Sequence, residues 1–472
     1  MVRAPQVQST AKSLSCRSSL IMSSQPDQLI LSANSGSSSL KISLYALAPK
    51  GSNSDEPVEL LLKSSISSIS APPAQFTFKT ITGTPKEAND KDEVPSIHDH
   101  ASAFEHFLQH LKDGAGIDRD RITHICHRVV HGGDYRDPVE LSTHAYKHIE
   151  KLSDLAPLHN GAALSVIQGC VNALPNVKSI AFFDTAFHRT IPPYVSAYPI
   201  DQAVAKERGL KKYGFHGLSY SFILRSVQRY LQKPAEEMNV ILLHLGSGAS
   251  VCCVQNGKSL DTSMGLTPLS GLPGATRAGA IDPSLIFHYT NKAGRITHDP
   301  SAAANLHVTQ AEDILNTKSG WKALCGTTDF GEITQRAFAS PDADFAPVPN
   351  PLDGDPLSEP SPEMLAFSIF ADRIQGYIGS YFLKLQGNVD AVVFSGGIGE
   401  RSQQLRKVVC DRIACLGFSA ISETRNNAVD DTPGTVVDIG AGRPEDERRR
   451  MLVCRTDEQV RSNSATSSSD RC

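Results

Sequence analysis

The chain has 472 residues, of which 40% are hydrophobic and 20% charged, and its formal net charge is -4. That length exceeds one hydrophobic core and suits two domains of a water-soluble protein. A mildly acidic chain carries no basic field for nucleic acid, and no apolar run approaches the roughly 20 residues that span a bilayer, so neither nucleic acid nor membrane is an expected partner.

Residues 1–26 are Ser-rich and carry Arg3, Lys12 and Arg17 without a single acid. This composition fits a disordered leader or a mitochondrial targeting segment. The reading adopted is a cytoplasmic protein, with Met22 as an alternative start. Leu29 to Ala33 is an apolar run, and Leu40, Ile42 and Leu44 alternate with polar residues. With Asn34 to Ser39 between them, the segment reads as strand, tight turn, strand. The unit returns downstream, where Val240 to Leu245, Gly246-Ser247-Gly248 and Ala249 to Val254 repeat the pattern. Two such units, each opening a long mixed stretch, predict an internal duplication. The domains expected are 27–184 and 185–459.

Seven prolines in residues 340–362 exclude a helix or central strand and predict an exposed loop. Phe367, Phe370, Ile374, Tyr377, Ile378, Tyr381 and Leu385 then recur at three- and four-residue spacing, which predicts one apolar helix face. The apolar run Ala391 to Phe394 leads into a third glycine turn, Ser395 to Glu400. Residues 430–450 are Gly-, Asp- and Arg-rich and read as a surface insertion. Residues 460–472 are a Ser-rich tail that reads as disordered. Ten cysteines without a CxxC pair or metal-ligand spacing read as free, mostly buried thiols in a reducing compartment.

Glycine lets backbone N–H groups converge on phosphate oxygens. Three glycine turns after apolar strands point to phosphate chemistry, although none is a P-loop or a dinucleotide fingerprint. Phosphoryl transfer also needs cations against the charge of the transferring group. Arg128, in His127 to Gly133, and Arg277, in the small-residue loop Gly274 to Gly279, are either surface residues or anion-binding forks. Asp184 ends the apolar run Ile180 to Phe183, where an acid either caps a helix or serves catalysis or Mg²⁺. His216, between Tyr213-Gly214-Phe215 and Gly217, is either a satisfied structural histidine or a site residue.

The segments Asn34-Ser-Gly-Ser-Ser-Ser-Leu-Lys41, His127-Arg-Val-Val-His-Gly-Gly133, Leu155-Ala-Pro-Leu-His-Asn160, Phe183-Asp-Thr-Ala-Phe-His188, Tyr213-Gly-Phe-His-Gly217, His244-Leu-Gly-Ser-Gly-Ala-Ser250 and Gly396-Gly-Ile-Gly-Glu400 resemble the acetate kinase family, in the family's order. The longer loops make the chain look like a fungal member. The resemblance implies an α/β fold shared with actin, Hsp70 chaperones and sugar kinases, two related domains around a central cleft, and a homodimer. It implies reversible, direct in-line phosphoryl transfer between ATP and acetate, giving acetyl phosphate and ADP, with Mg²⁺.

Carried over motif by motif, the resemblance makes Asp184, His216, Arg277 and Arg128 catalytic, with Arg128 also binding the carboxylate. Asn34 and Glu458 would hold Mg²⁺. Lys41, His244, Leu245, Gly246, Ser247 and Gly248 would line the nucleotide site, together with Asp329, Phe330, Gly331, Gly397, Ile398, Gly399, Glu400 and Arg401. Val130, Leu158, Phe215 and Pro268 would enclose the acetyl methyl. The chain departs from the family pattern at Ser247, Ala280, Gly331, Arg401 and Tyr220, and after Glu458 it lacks a recognisable final helix. A propionate or butyrate kinase on the same scaffold and a non-catalytic ATP-binding relative are the alternative readings.

Overall fold

The computed structural model describes residues 28–36, 38–47, 58–153, 157–289, 309–339, 360–442 and 449–456, with backbone alone at 157–159. The leader 1–26, the Pro-rich stretch as far as residue 359, Glu458 and the tail 460–472 lie outside these residues.

Strands β1 (Leu29–Gly36), β2 (Ser39–Leu47), β3 (Val58–Ser67), β4 (Ala74–Thr80), β5 (Asn89–Val94), β6 (Ile122–Val129), β7 (Val139–Glu140) and β8 (Lys178–Phe183) form one sheet, in the order β5-β4-β3-β2-β1-β6-β8-β7. The turn expected at Asn34 to Ser39 is shorter than the sequence indicates. Asn34 pairs with Lys41 and Ser35 with Leu40, so the polar residues belong to the ladder.

Strands β9 (Val240–Leu245), β10 (Ala249–Gln255), β11 (Lys258–Thr262), β12 (Ala391–Ser395), β13 (Val436–Asp438) and β14 (Arg450–Cys454) form the second sheet, in the order β11-β10-β9-β12-β14-β13. In the first sheet β3-β2-β1 are antiparallel, and β6 and β8 then add in parallel. In the second, β11-β10-β9 are antiparallel, and β12 and β14 add in parallel. The two sheets thus share one strand order, the mark of the expected duplication.

The 430–450 stretch is not simply a surface insertion. It supplies the edge strand β13, antiparallel to β14, and Val436, Val437 and Ile439 are buried. A three-residue strand is too short for its alternation to stand out among glycines and charges.

Helices cover the sheets because their apolar faces have nowhere else to go. The helix His100–Asp113 starts with a capping box between Asp99 and Ser102 and packs Phe104, Phe107 and Leu111 on the first sheet. The helix Pro362–Lys384 starts with Ser361 capping Met364 N and with proline in its first turn, where a missing N–H is harmless. Its residues Phe367, Phe370, Ile374, Ile378 and Tyr381 pack against Ile241, Val251, Val392 and Phe394, as the spacing predicts. On the opposite face, Tyr220, Ile223 and Val227 of the helix Gly217–Leu231 meet Val240, Leu242 and Cys252. Among the described residues eight cysteines are free and six of these are buried, and no helix is long and apolar enough to cross a membrane.

Candidate active site

The parallel strands carry their site residues to the same end. In the register of β6 and β8, Arg128 lies opposite Phe182 and Val129 opposite Phe183, so Asp184 emerges beside Arg128. Arg128 Nη2 donates to Asp184 Oδ2 at 2.7 Å, and Nε donates to the same carboxylate at 3.2 and 3.4 Å. Arg128 Nη1 donates to Oδ1 of Asn34 on the adjoining β1 at 3.2 Å. The Asp184 side chain is 1% exposed and that of Arg128 is 19% exposed. Phe183, not Asp184, stands at the cap position of the 3₁₀ turn Asp184–His188, and the carboxylate goes to the arginine.

The second half brings a histidine and another arginine to this pair. His216 sits just before the helix Gly217–Leu231 with φ 59°, a left-handed backbone uncommon for a side-chain-bearing residue. Its Nδ1 lies 2.8 Å from Ser250 Oγ, and its ring is 4.2 Å from that of His244, centroid to centroid. His244 Nδ1 is in turn 2.7 Å from Ser219 Oγ. Burial, reinforced by His244, Arg128 and Arg277, pushes the His216 imidazole well below its ordinary range and keeps it neutral. Burial, followed by repulsion from Arg128, lowers the Arg277 guanidinium to about 10, so it stays charged.

Two glycines permit these approaches. A Cβ on Gly248 would stand 1.9 Å from Arg277 Nη2, and one on Gly217 would stand 1.9 Å from the Asp184 carbonyl oxygen. The Arg277 loop is tied to the glycine hairpin by the Ala275 N–H, which donates to the Ser247 carbonyl at 2.9 Å.

These groups face a cleft of about 1190 Å³, which is also lined by Asn34, Lys41, His244, Gly246, Ser247, Gly248 and Gly397. Val130, Phe215 and Pro268 form an apolar corner of the same cleft. Leu158 lies on the helix Pro157–Ala173, at a position where only the backbone is described.

Several residues expected along the nucleotide wall support it from behind instead. Leu245, Phe330 and Ile398 pack into the apolar core, and Gly399 is buried. Asp329 caps the helix Phe330–Ala337, accepting from Gly331 N at 2.8 Å, and Thr328 is the neighbour that reaches the cleft. Glu400 accepts from Gly396 N at 3.0 Å and from Thr456 N at 3.1 Å, joining the third glycine turn to the segment after β14. Arg401 is exposed and does not line the cleft.

Sequence reasoning missed other parts of the wall. Lys63, on β3, and Ser70, Asp313, Asn316, Lys318 and Lys322 also line the cleft. It missed Arg406 as well, which is 1% exposed and donates to the carbonyls of Gly399 and Glu400 at 3.0 and 2.6 Å. A buried cation there satisfies the carbonyl end of the short helix Gly396–Arg401.

No group of three or more His, Cys, Asp or Glu among the described residues could hold a metal by itself. Mg²⁺ asks for less, since it keeps waters and takes one or two protein oxygens beside substrate phosphates. The Asn34 amide oxygen lies in the cleft, and Thr456, two residues before Glu458, lines the same cleft. Asn34 Oδ1, an oxygen of the kind Mg²⁺ takes beside substrate phosphates, accepts from Arg128 Nη1 at 3.2 Å in this structure.

Two α/β halves of one strand order meet at a cleft that gathers two arginines, a histidine and glycine turns, and similarity to known proteins makes this a kinase that transfers phosphate to a carboxylate. The chain belongs to the acetokinase family, whose model matches residues 29–348 and 356–461. It is 48% identical to a probable acetate kinase of Emericella nidulans over 440 residues, covering 92% of this chain and 96% of that one. It is 43% identical to a probable acetate kinase of Neurospora crassa over 457 residues, covering 93% of each. Among solved structures, a propionate kinase of Francisella tularensis superposes with TM-score 0.73 at 31% identity, covering 93% of this chain and 98% of that one. The acetate kinase of Porphyromonas gingivalis gives 0.71 at 28%, covering 93% and 99%.

Proposed function

We propose that the chain is an acetate kinase, moving a phosphoryl group reversibly between ATP and acetate to give acetyl phosphate and ADP. The observation that carries this reading is the placement of Arg128 and Arg277 on one cleft that is also lined by Val130, Phe215 and Pro268 and by the glycine turns. A carboxylate is already ionised near neutral pH, so no strong base is needed for its oxygen to attack the γ-phosphorus. The protein's task is then to hold two anions in line and to balance their charge.

In this reading Arg128, oriented by Asp184, binds the carboxylate, and Val130, Phe215 and Pro268 enclose its methyl group. Arg277 and His216 donate to the equatorial oxygens of the transferring group. Backbone N–H groups of the turns at Gly246 to Gly248 and Gly396 to Gly397, with Lys41, hold the nucleotide phosphates. Asn34 and Glu458 would hold Mg²⁺, which when bound supplies positive charge at the phosphate oxygens. Residues 27–184 then serve as the acyl half and 185–459 as the nucleotide half. A cytoplasmic homodimer completes the reading, supported by the family resemblance and by the reduced, buried thiols.

The similarity to a propionate kinase favours a second reading, in which the corner admits a longer acyl chain. Assays of the purified protein with acetate, propionate and butyrate, in both directions, decide. Each added methylene should change kcat/KM by roughly 10–200-fold if the corner closes on a methyl group. A folded protein inactive on all three acids would overturn the assignment in favour of a non-catalytic relative.

A further inference from the structure

We propose that Tyr220, acting through Ser250, fixes the tautomer of His216, so that the imidazole presents an Nε2–H donor to the cleft. This is a positioning role. The identity of the acceptor, an oxygen of the transferring phosphoryl group, rests on the acetate kinase reading, whereas the tautomer does not.

Tyr220 lies one helical turn after His216, and its N–H donates to the His216 carbonyl at 2.9 Å. Its side chain is fully buried. The phenol oxygen is 2.5 Å from Ser250 Oγ, and Ser250 Oγ is 2.8 Å from His216 Nδ1. Ser250 stands on β10 opposite His244 and is likewise fully buried. The three groups form a chain that ends at Nδ1 of an imidazole whose residue lines the cleft.

Counting protons gives the chain its direction. Each hydroxyl has one hydrogen to donate. The Tyr220 hydroxyl is fully buried, and the acceptor within its reach is Ser250 Oγ. The tyrosine hydrogen is therefore the one donated to Ser250 Oγ. Ser250 in turn donates its hydrogen to His216 Nδ1, which must be unprotonated to accept it. A neutral imidazole with a bare Nδ1 carries its proton on Nε2. In the reverse direction the tyrosine hydrogen would have no acceptor in a fully buried place, which is penalised. His216 would then offer a lone pair to anionic oxygens.

The ionisation directions agree with this arrangement. Burial holds the Tyr220 phenol well above its usual value, so it keeps its proton, and burial first of all holds His216 neutral.

Tyr220 also fills space, packing beside Phe187 and His188 with centroids 6.0 and 5.8 Å away. Tyr220→Phe preserves that packing and removes only the hydroxyl, so it separates the two roles. In the full-length chain with ¹⁵N-labelled histidine, long-range ¹H–¹⁵N spectra report the tautomer, and the His216 signals are identified by their loss in His216→Gln. The wild type should show His216 with its proton on Nε2, and Tyr220→Phe should convert it to a mixture with the Nδ1–H form. Turnover in Tyr220→Phe should fall about tenfold while both KM values stay within about twofold. Ser250→Ala should fall at least as far, and the double variant no further than Ser250→Ala. A wild-type His216 protonated on Nδ1, or an unchanged Nε2–H tautomer in Tyr220→Phe, would overturn the relay. A tautomer shift in a protein inactive on all three acids would uphold the relay and defeat the kinase reading instead.

Discussion

Arg128 is the residue on which the acyl half turns, and Asp184 decides where its guanidinium points. Three contacts to the carboxylate, made by Nε and Nη2, leave Arg128 little freedom, and the Asn34 amide takes Nη1. Asp184→Asn keeps the shape and one acceptor oxygen but loses the charge that orients the fork. Turnover should fall by about 100-fold, because a misplacement of about 1 Å near the reacting atoms has that effect. Circular dichroism and the melting temperature should change little; near-normal turnover would refute the role given to Asp184. Arg128 and Asp184 were each legible as candidates, from a β-like run ending in glycines and from an acid at the end of an apolar strand. Their pairing was not, because 56 residues separate them and only the parallel register of β6 and β8 brings them together. Tyr220 was visible only as a departure from the family pattern. Its partner Ser250 closes the segment His244 to Ser250, but it lies 30 residues away on β10 and nothing local ties it to Tyr220.

Among the elements, the glycine hairpin between β9 and β10 and the start of the helix Gly217–Leu231 are built around close approach, yet they differ in what they approach. A methyl group at Gly248 would collide with the far end of the Arg277 side chain, which can swing away. A methyl group at Gly217 would collide with the Asp184 backbone carbonyl, which cannot. Gly248→Ala should therefore melt within a few degrees of the parent and lose turnover by about 100-fold as Arg277 leaves its place. Gly217→Ala should lose stability by several kcal/mol, of order 2–4, since backbone must shift in a packed interior. Thermal melts and kcat measured on both variants check the contrast, and equal effects on stability would contradict it. The paired strand-turn-strand units were readable because period-two alternation and glycine turns are local signals. The ends were less so: Asn34 and Ser35 read as turn but pair in the ladder, while β13 hid among glycines and charges. Phe330 and Ile398 belong to the segments that resemble the family's nucleotide site, yet their apolar side chains pack into the core.

Over the whole molecule, buried neutral histidines hold contacts around the cleft, His131 across the two halves and His188 within the second, and this makes the fold sensitive to acid. His131 Nε2 donates to the Leu266 carbonyl at 3.2 Å, and its Nδ1 accepts from Gly133 N at 3.1 Å. His188 Nε2 donates to the Phe215 carbonyl at 2.9 Å, and its Nδ1 faces Ser259 Oγ at 2.8 Å. His131 cannot take a second proton without losing its bond from Gly133 N, and His188 could do so only if the Ser259 hydroxyl turned to accept. Burial lowers His127 to about 3, and His131 and His188 to about 4, while His216 is also held well below its usual range. In the unfolded chain the same groups titrate near 6.5, on the order of the free imidazole. Between about 4 and 6.5 the unfolded chain thus binds protons that the native protein does not, so the free energy of unfolding rises with pH across that window. The stability is fully present above it and is lost as the pH falls, by up to about 1.4 kcal/mol for each such histidine and each pH unit. Melting temperatures should therefore drop steadily from pH 7 to pH 5, a range that lies above the ordinary carboxylates and so isolates the histidines. Calorimetry at pH 5.5 in buffers of different ionisation enthalpy should register an uptake of more than about two protons on unfolding. A melting temperature that stays flat between pH 7 and pH 5, or an unfolding step that takes up no protons, would mean that these rings are not held neutral in the native molecule.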